Sequence, residues 1–166
     1  MAQQILNACR NTAQKAIAYE SEELLEEAKI KMKKHYPAQA NNFALNWDMV
    51  YCKSAGNCKE YLKAASAYAK KEVKGQPDEL IELATEVQKS FPKDEKARKL
   101  AETLATQAVD QGDSYKYNYV LANILLKNGK KAAALKAAKD SLSMAEAEGA
   151  KGDVQRIQKL IEKIES

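Results

Sequence analysis

Residues 119–142 read YVLANILLKNGKKAAALKAAKDSL, and this stretch decides the fold. In its first half, the large apolar residues recur at steps of three and four and fall on one face of a helix; they are Leu121, Ile124 and Leu125. The dipeptide Asn128-Gly129 then marks a turn. In its second half, one helical face carries Ala134, Ala138 and Leu142. The stretch therefore predicts two antiparallel helices joined by a short turn.

The same unit recurs along the chain with a period of 37 residues. Gly75, Gly112 and Gly149 lie at intervals of 37 residues, and Pro37 stands next to the position one step earlier. A second set of turn signals falls between them, at 56–57, 92–94 and 128–129. A fixed period of this length is typical of repeated two-helix units.

These signals predict an all-α fold, a stack of antiparallel helix pairs in a single domain spanning residues 1–166. The three predicted pairs cover approximately 38–74, 77–111 and 115–148. Two helices are expected at 2–35, with Ser21 as the N-cap of the second, because Glu22 and Glu23 follow it. A capping helix is expected at 153–165, with Asp153 as its N-cap, to shield the end of the stack.

Composition and charge exclude several classes of function. The chain has 27 basic and 23 acidic residues, a net charge of +4, and the two signs alternate along the helices rather than forming one basic face. This pattern argues against nucleic-acid binding. We also expect no membrane span, because no apolar run approaches the required length of about 20 residues. The first residues do not resemble a secretory signal, which is compatible with a cytoplasmic chain or with one whose export signal has been lost.

The sequence predicts no cofactor, no metal site and no catalytic centre. Its one histidine, His35, and three scattered cysteines provide no ligand set at metal spacing. Cys52 and Cys58 flank one predicted turn, so they are either a candidate disulfide or two ordinary buried thiols. We therefore expect a protein that is not an enzyme.

Candidate binding residues follow from the repeat, because stacked helix pairs bind ligands along the surface lined by the first helix of each pair. In the third pair we expect this surface to carry Tyr119, Asn123, Leu126 and Lys127. The shift of 37 residues adds Glu82 and Glu86 from the second pair, and Leu45 and Met49 from the first. Either an extended peptide occupies this surface or it is an ordinary solvated face.

A cluster of tyrosines opens the first helix of the third pair, at Tyr115, Tyr117 and Tyr119. Tyrosine is enriched at binding surfaces. Alternate positions of a helix do not all share one face, so at least one of the three is expected in the core.

The third pair resembles a tetratricopeptide repeat. The matching positions are Leu121 and Ala122, Gly129 at the turn, Ala134 and Leu135, and Leu142; the terminal proline and the aromatic of the second helix are missing. The resemblance implies a right-handed superhelical stack, a tetratricopeptide-like α-solenoid that binds a protein or peptide. Asn123 and Lys127 resemble part of the carboxylate clamp that some such proteins use.

A narrower resemblance covers residues 30 to 165. The order of His35-Tyr-Pro, Leu45-Asn-Trp-Asp-Met, Tyr61-Leu-Lys-Ala-Ala and Asp78-Glu-Leu-Ile is similar to the helical C-terminal region of bacterial envelope thioredoxin-like proteins. This similarity implies an adjoining thioredoxin-type domain and a periplasmic or cell-envelope location. The Cys-x-x-Cys redox motif of that family is missing here.

The expected function is a non-catalytic helical scaffold for protein or peptide binding, or the accessory domain of a thioredoxin-like envelope protein. One alternative is a homo-oligomeric structural domain, and another is a component of a thiol-disulfide enzyme. The sequence leaves the oligomeric state open.

Overall fold

The computed structural model describes residues 2–166, and these form nine α-helices and no strand. The all-α prediction is confirmed. The helices are α1 (Ala2–Ala18), α2 (Glu22–His35), α3 (Pro37–Ser54), α4 (Cys58–Lys71), α5 (Pro77–Ser90), α6 (Glu95–Gln111), α7 (Tyr115–Lys127), α8 (Lys131–Ala147) and α9 (Lys151–Glu165). None of the helices described here has the length and apolar character needed to cross a lipid bilayer.

Successive helices pack as adjacent pairs, α1 with α2, α3 with α4, α5 with α6 and α7 with α8, while α9 packs on α8. Local sequence sets several of the boundaries. The Ser21 side chain accepts a hydrogen bond from the Leu24 amide at 3.3 Å, which confirms the predicted N-cap of α2. Between α7 and α8, Gly129 has φ of 77°, a backbone conformation that favours glycine.

The chain divides into two compact units. Unit 1 comprises α1 to α4 and ends at Glu72, and unit 2 is Val73–Ser166, which contains α5 to α9. The expectation of a single domain stays a prediction. Each unit has its own buried side chains, so each is described by itself.

One core cluster of unit 1 combines buried side chains from the three helices α1, α2 and α3. Its buried members are Cys9, Ala13, Ala16, Leu25, Ala28, Met32 and Phe43. Trp47, one turn after Phe43, packs against this cluster with its ring centroid 6.0 Å from that of Phe43. The Cys9 side chain is fully buried.

In unit 2, the α8 helix presents alanines to both neighbouring helices. Ala134, Ala137 and Ala138 form one buried cluster with Leu125 of α7 and Leu160 of α9. Because alanine side chains are short, the helix axes approach closely, and apolar side chains of α7 and α9 fill the remaining space. The C-terminal helix therefore covers the apolar surface of α8.

Two tyrosines connect the beginnings of the three helices α5, α7 and α9. Tyr117 donates a hydrogen bond to Asp78 of α5 at 2.7 Å, and Tyr115 donates one to Asp153 of α9, also at 2.7 Å. Both tyrosines are buried. The predicted N-cap role of Asp153 is wrong, because α9 begins two residues earlier, after Ala150, and the Asp153 carboxylate accepts the Tyr115 hydroxyl instead.

Close packing at Gly112 leaves no room for a larger residue. A β-carbon at this position would stand 2.6 Å from Cε2 of Tyr117 and 3.0 Å from Cγ of Pro77. This glycine is one of the three that define the 37-residue period. Glycine is therefore required at position 112 because the beginnings of α5 and α7 lie close to it, and not because its φ is unusual.

Candidate binding site

A cavity lies along one face of α7, between α5 and α9. We call it the Gln88 cavity; its volume is about 230 Å³, and its lining residues are Thr85, Gln88, Tyr119, Val120, Asn123, Ile124, Lys127 and Arg156. The α7 residues follow one another at steps of one and three, which places them on one side of the helix. One face of α7 thus forms one wall of the cavity.

A second cavity continues towards the beginning of α7. We call it the Asp153 cavity; its volume is about 220 Å³, and it is lined by Tyr115, Lys116, Tyr119, Val120, Asp153, Arg156 and Ile157. Three residues, Tyr119, Val120 and Arg156, line both cavities. The two cavities together are called the α7 groove, and it follows the helix from its first residue to its last.

Arg156 and Tyr119 form the partition between the two cavities. The Arg156 guanidinium lies 4.6 Å from the centroid of the Tyr119 ring, and its Nε donates a hydrogen bond to the tyrosine hydroxyl at 3.0 Å. A cation over an aromatic face is attracted by the ring quadrupole. This contact holds a positive charge in the middle of the groove.

Gln88 contributes the most unusual group of the groove. Its side chain is 3% exposed, and within residues 2–166 its Oε1 atom has no hydrogen-bond partner. A buried acceptor without a donor costs about 1–3 kcal/mol, so native structures rarely retain one without a reason. The same residue lines the Gln88 cavity, and its Oε1 atom is itself buried, so a donor from outside the chain meets it only when the amide group turns towards the cavity.

Two cations of the groove have no acidic partner. In the part of the chain that the structure describes, neither Lys127 nor Arg156 has a carboxylate oxygen within 4.0 Å. The one carboxylate that lines the groove, Asp153, accepts the hydroxyl of Tyr115. The groove therefore presents positive charge that the chain itself leaves unneutralised.

The structure brings together three of the binding residues expected from the sequence. Tyr119, Asn123 and Lys127 line the Gln88 cavity. Leu126 points elsewhere and packs against the core formed by α7, α8 and α9. Residue 126 lies about 20° around the helix from residue 119, but about 90° from the middle of the lining face, so it stands at the border between the groove and this core.

The residues expected from the second pair are not part of this site. Glu82 and Glu86 belong to α5, but neither lines the groove, and the Glu86 carboxylate accepts a hydrogen bond from Ser90. The α5 residues that do line it are Thr85 and Gln88. The face that α5 turns towards α7 thus differs from the face that the 37-residue shift predicts.

Sequence reasoning also missed Arg156, although a signal for it exists. Arg156 follows Tyr119 by 37 residues, so one more step of the period identifies it. The sequence indicates Gln88 less clearly. This residue precedes the buried Leu125 by 37 residues, so it is a polar residue at a position that is apolar in the next repeat.

Unit 1 contains a separate cavity of about 430 Å³, which we call the Lys29 cavity. Two residues of interest from the sequence, Leu45 and Cys52, line it, while Met49 is buried. Lys29 pairs here with both Glu26 and Asp48. Burial alone would lower the pKa of Lys29, but the hydrogen bonds to these two carboxylates outweigh it, and the pKa is raised.

Cys52 and Cys58 stand at the two sides of the α3–α4 turn and are not joined by a disulfide. Burial and the nearby charges of Asp48 and Glu60 raise the pKa of the Cys52 thiol. A raised pKa keeps the thiol protonated and weakens it as a nucleophile. The bridge between the two cysteines stays a prediction.

Within the described range 2–166, no group of three or more His, Cys, Asp or Glu side chains is arranged to hold a metal ion. No protein-family model, no curated protein and no solved structure matches the chain. The case for a function therefore depends on the geometry of the α7 groove.

Proposed function

We propose that this chain is a non-catalytic helical scaffold whose α7 groove binds an extended segment of another protein. The observation that carries the proposal is the Gln88 side chain, which is 97% buried on the wall of an open cavity with an acceptor oxygen that lacks a donor. Once the Gln88 amide turns towards the cavity, a backbone N–H of a bound peptide supplies that donor, and peptide binding then removes a cost of about 1–3 kcal/mol from the folded protein.

The size of the groove supports a peptide rather than a small metabolite. The two cavities measure about 230 and 220 Å³. Small-molecule sites typically enclose about 300–1,000 Å³ in one pocket. The Gln88 cavity and the Asp153 cavity adjoin each other at the Tyr119–Arg156 contact, and each is large enough for one side chain of a polypeptide that lies along α7.

The wider proposal places these helix pairs in a right-handed superhelical stack of the tetratricopeptide type. The adjacent pairing of successive helices and the 37-residue spacing of the glycines support it. From the sequence resemblance we also propose an adjoining thioredoxin-type domain in the periplasm or cell envelope. The raised pKa of the Cys52 thiol argues against a direct part in thiol-disulfide exchange.

A homo-oligomeric structural domain is the second candidate, and the surface of unit 1 favours it. Tyr19, Ile30 and Val50 are large apolar side chains that are 71%, 66% and 46% exposed. Exposed apolar side chains are a common basis of self-association. Size-exclusion chromatography with light scattering decides between the two: a mass that stays monomeric over a wide concentration range contradicts the oligomer.

The test of the peptide proposal is selection from a displayed library of random peptides on the purified chain. We expect enriched sequences whose binding is lost with Tyr119→Ala combined with Asn123→Ala, while helicity by circular dichroism is unchanged. The matched control is Gln158→Ala with Lys159→Ala, two exposed positions on α9 outside the groove. Recovery of no sequence above background would contradict the proposal.

A single substitution tests the role of the unmatched oxygen directly. Gln88→Leu removes this oxygen at similar side-chain volume, so stability should be unchanged or higher. Affinity for the selected peptides should fall about fivefold to tenfold, the equivalent of one hydrogen bond. Gln158→Leu serves as the control on an exposed glutamine. Equal affinity of the Gln88→Leu variant and the parent chain would show that Gln88 does not contact the ligand.

A further inference from the structure

The charges of the α7 groove indicate which kind of segment it binds. Its lining contains three cations, Lys116, Lys127 and Arg156, and one carboxylate, Asp153, which accepts the Tyr115 hydroxyl at 2.7 Å. A ligand that enters the groove therefore meets a surplus of positive charge. Electrostatic complementarity then favours an anionic ligand.

Gln88 restricts the choice among anions. Its buried Oε1 atom is an acceptor and needs a donor from the ligand. Anions without an attached hydrogen, such as sulfate and chloride, supply no such donor, and inorganic phosphate supplies an O–H but not a row of several separate charges. An acidic polypeptide carries backbone N–H donors and side-chain carboxylates on the same chain, so it meets both demands at once.

The distribution of the cations indicates several carboxylates rather than one. Lys116 and Lys127 are eleven positions apart on α7, about 16 Å along the helix axis, and Arg156 lies against Tyr119 between them. An extended peptide advances about 3.3 Å per residue, so about five residues span this distance. Side chains at alternate positions face the same way, which brings three of them towards the groove.

We propose that the α7 groove recognises an extended, internal acidic segment with Asp or Glu at alternate positions, and that α9 contributes to recognition through Arg156. This inference rests on the proposed function. It gives the C-terminal helix a second role, because α9 both covers α8 and supplies a ligand contact. A terminal carboxylate carries one charge and would leave the cations at the two ends of α7 unmatched.

The experiment measures fluorescence polarisation of a labelled peptide, Gly-Glu-Ala-Glu-Ala-Glu-Gly, with both ends blocked so that no terminal carboxylate is present. The comparison peptide has Gln in place of each Glu. We expect the acidic peptide to bind and the Gln peptide to bind at least about tenfold more weakly, with an affinity for the acidic peptide that falls as salt is added.

Variants locate the interaction. Lys127→Gln and Arg156→Gln should each weaken binding of the acidic peptide about fivefold, whereas Arg156→Lys, which keeps the charge, should retain most of the affinity. The controls are Lys136→Gln on α8 and Lys159→Gln on α9, two exposed lysines outside the groove. Each control removes one positive charge and should leave affinity unchanged.

Three outcomes would overturn the inference: no binding of the acidic peptide, equal binding of the Gln peptide, or equal loss with the two control variants. Binding of a single-stranded oligonucleotide with the same dependence on Lys127 and Arg156 would also overturn it, because the groove would then be a general polyanion site. If library selection yields groove-dependent peptides without acidic residues, the proposed function stands and this inference fails. If it yields none, both fail.

Discussion

Units 1 and 2 are both built from antiparallel helix pairs, but the cations at their cavities differ in whether they have acidic partners. In unit 1, Lys29 at the Lys29 cavity is paired with Glu26 and Asp48, so the chain neutralises its own cation. In unit 2, Lys127 and Arg156 line the α7 groove, and no carboxylate of the described chain lies within 4.0 Å of either. The cation at the Lys29 cavity therefore has acidic partners within the chain, whereas Lys127 and Arg156 in the α7 groove have none among the described residues.

This difference shows that cavity size is a poor guide to function in this molecule. The Lys29 cavity has about 430 Å³, against about 230 Å³ for the Gln88 cavity. A ligand that enters the first must compete with existing ion pairs, and that competition costs most of what it gains. A ligand that enters the second relieves an unmet hydrogen bond and finds unpaired cations. Unmet polar groups, not volume, distinguish the two.

The largest expected effect concerns the packing that aligns α5 and α7. Gly112→Ala should lower the free energy of unfolding of unit 2 by about 1–3 kcal/mol, because the new β-carbon would overlap Tyr117 and Pro77. Urea unfolding followed by circular dichroism measures this loss. Trp47 is the one tryptophan and lies in unit 1, so its fluorescence transition should not move.

The matched control is Gly152→Ala in α9, where a β-carbon would have no neighbour within 4 Å. Alanine is the better helix former, so this change should leave stability equal or raise it by up to about 1 kcal/mol. If Gly112→Ala shifts the Trp47 fluorescence transition as much as the circular dichroism transition, the two units unfold together, and the prediction of a loss confined to unit 2 is wrong.

A smaller effect is expected for the hydrogen bond between α7 and α5. Tyr117→Phe should cost about 1 kcal/mol, because the Asp78 carboxylate then loses its donor but keeps its contact with water. The hydrogen bond to Asp78, followed by burial, raises the pKa of Tyr117 above its ordinary value of 10.0. The stabilisation is therefore complete below pH 10 and is lost as the pH rises further.

Alkaline unfolding tests this sign. The parent chain should lose stability more steeply above pH 10 than the Tyr117→Phe variant, with the unfolding free energy measured at each pH by urea titration. The pKa of Tyr115 is also raised, chiefly by its hydrogen bond to Asp153, so ionisation of this tyrosine should lower stability in the same pH range. Parallel curves for the parent and variant would show that the Tyr117 hydroxyl does not contribute.

The smallest effect is expected in unit 1. Lys29→Met should lower stability by less than about 1 kcal/mol, because Asp48 and Glu26 are 32% and 61% exposed and remain hydrated without their partner. Lys31→Met is the control, since its pair with Glu27 is on the surface. Peptide affinity at the α7 groove should not change. A loss of affinity with Lys29→Met would remove the distinction between the two cavities.

The helical period predicts most of the fold and part of the site. Because α7 is a regular helix, Tyr119, Asn123 and Lys127 share a face at steps of four residues, and sequence alone identifies that face. The N-cap at Ser21 can also be predicted from local sequence, since an N-cap depends on the three residues that follow it. Features set by neighbours in the chain are thus readable from the sequence.

The rest depends on contacts between helices that no local pattern records. The expected use of Glu82 and Glu86 assumed that every first helix presents the same face, but α5 presents Thr85 and Gln88 to the groove. The sequence predicts that at least one tyrosine of the cluster at 115, 117 and 119 is buried, but it does not indicate that the hydroxyls of Tyr115 and Tyr117 bind Asp153 and Asp78. Which carboxylate a tyrosine meets depends on the packing of helices more than 35 residues apart.

The distribution of cysteine gives the molecule an internal reporter. All three cysteines precede residue 73, and Cys9 is fully buried, with a pKa that is raised by burial above that of an ordinary thiol. A thiol reagent therefore reaches Cys9 only when the helices of unit 1 separate. With serine at positions 52 and 58, the rate of labelling would record the opening of unit 1 alone, even while unit 2 holds a peptide.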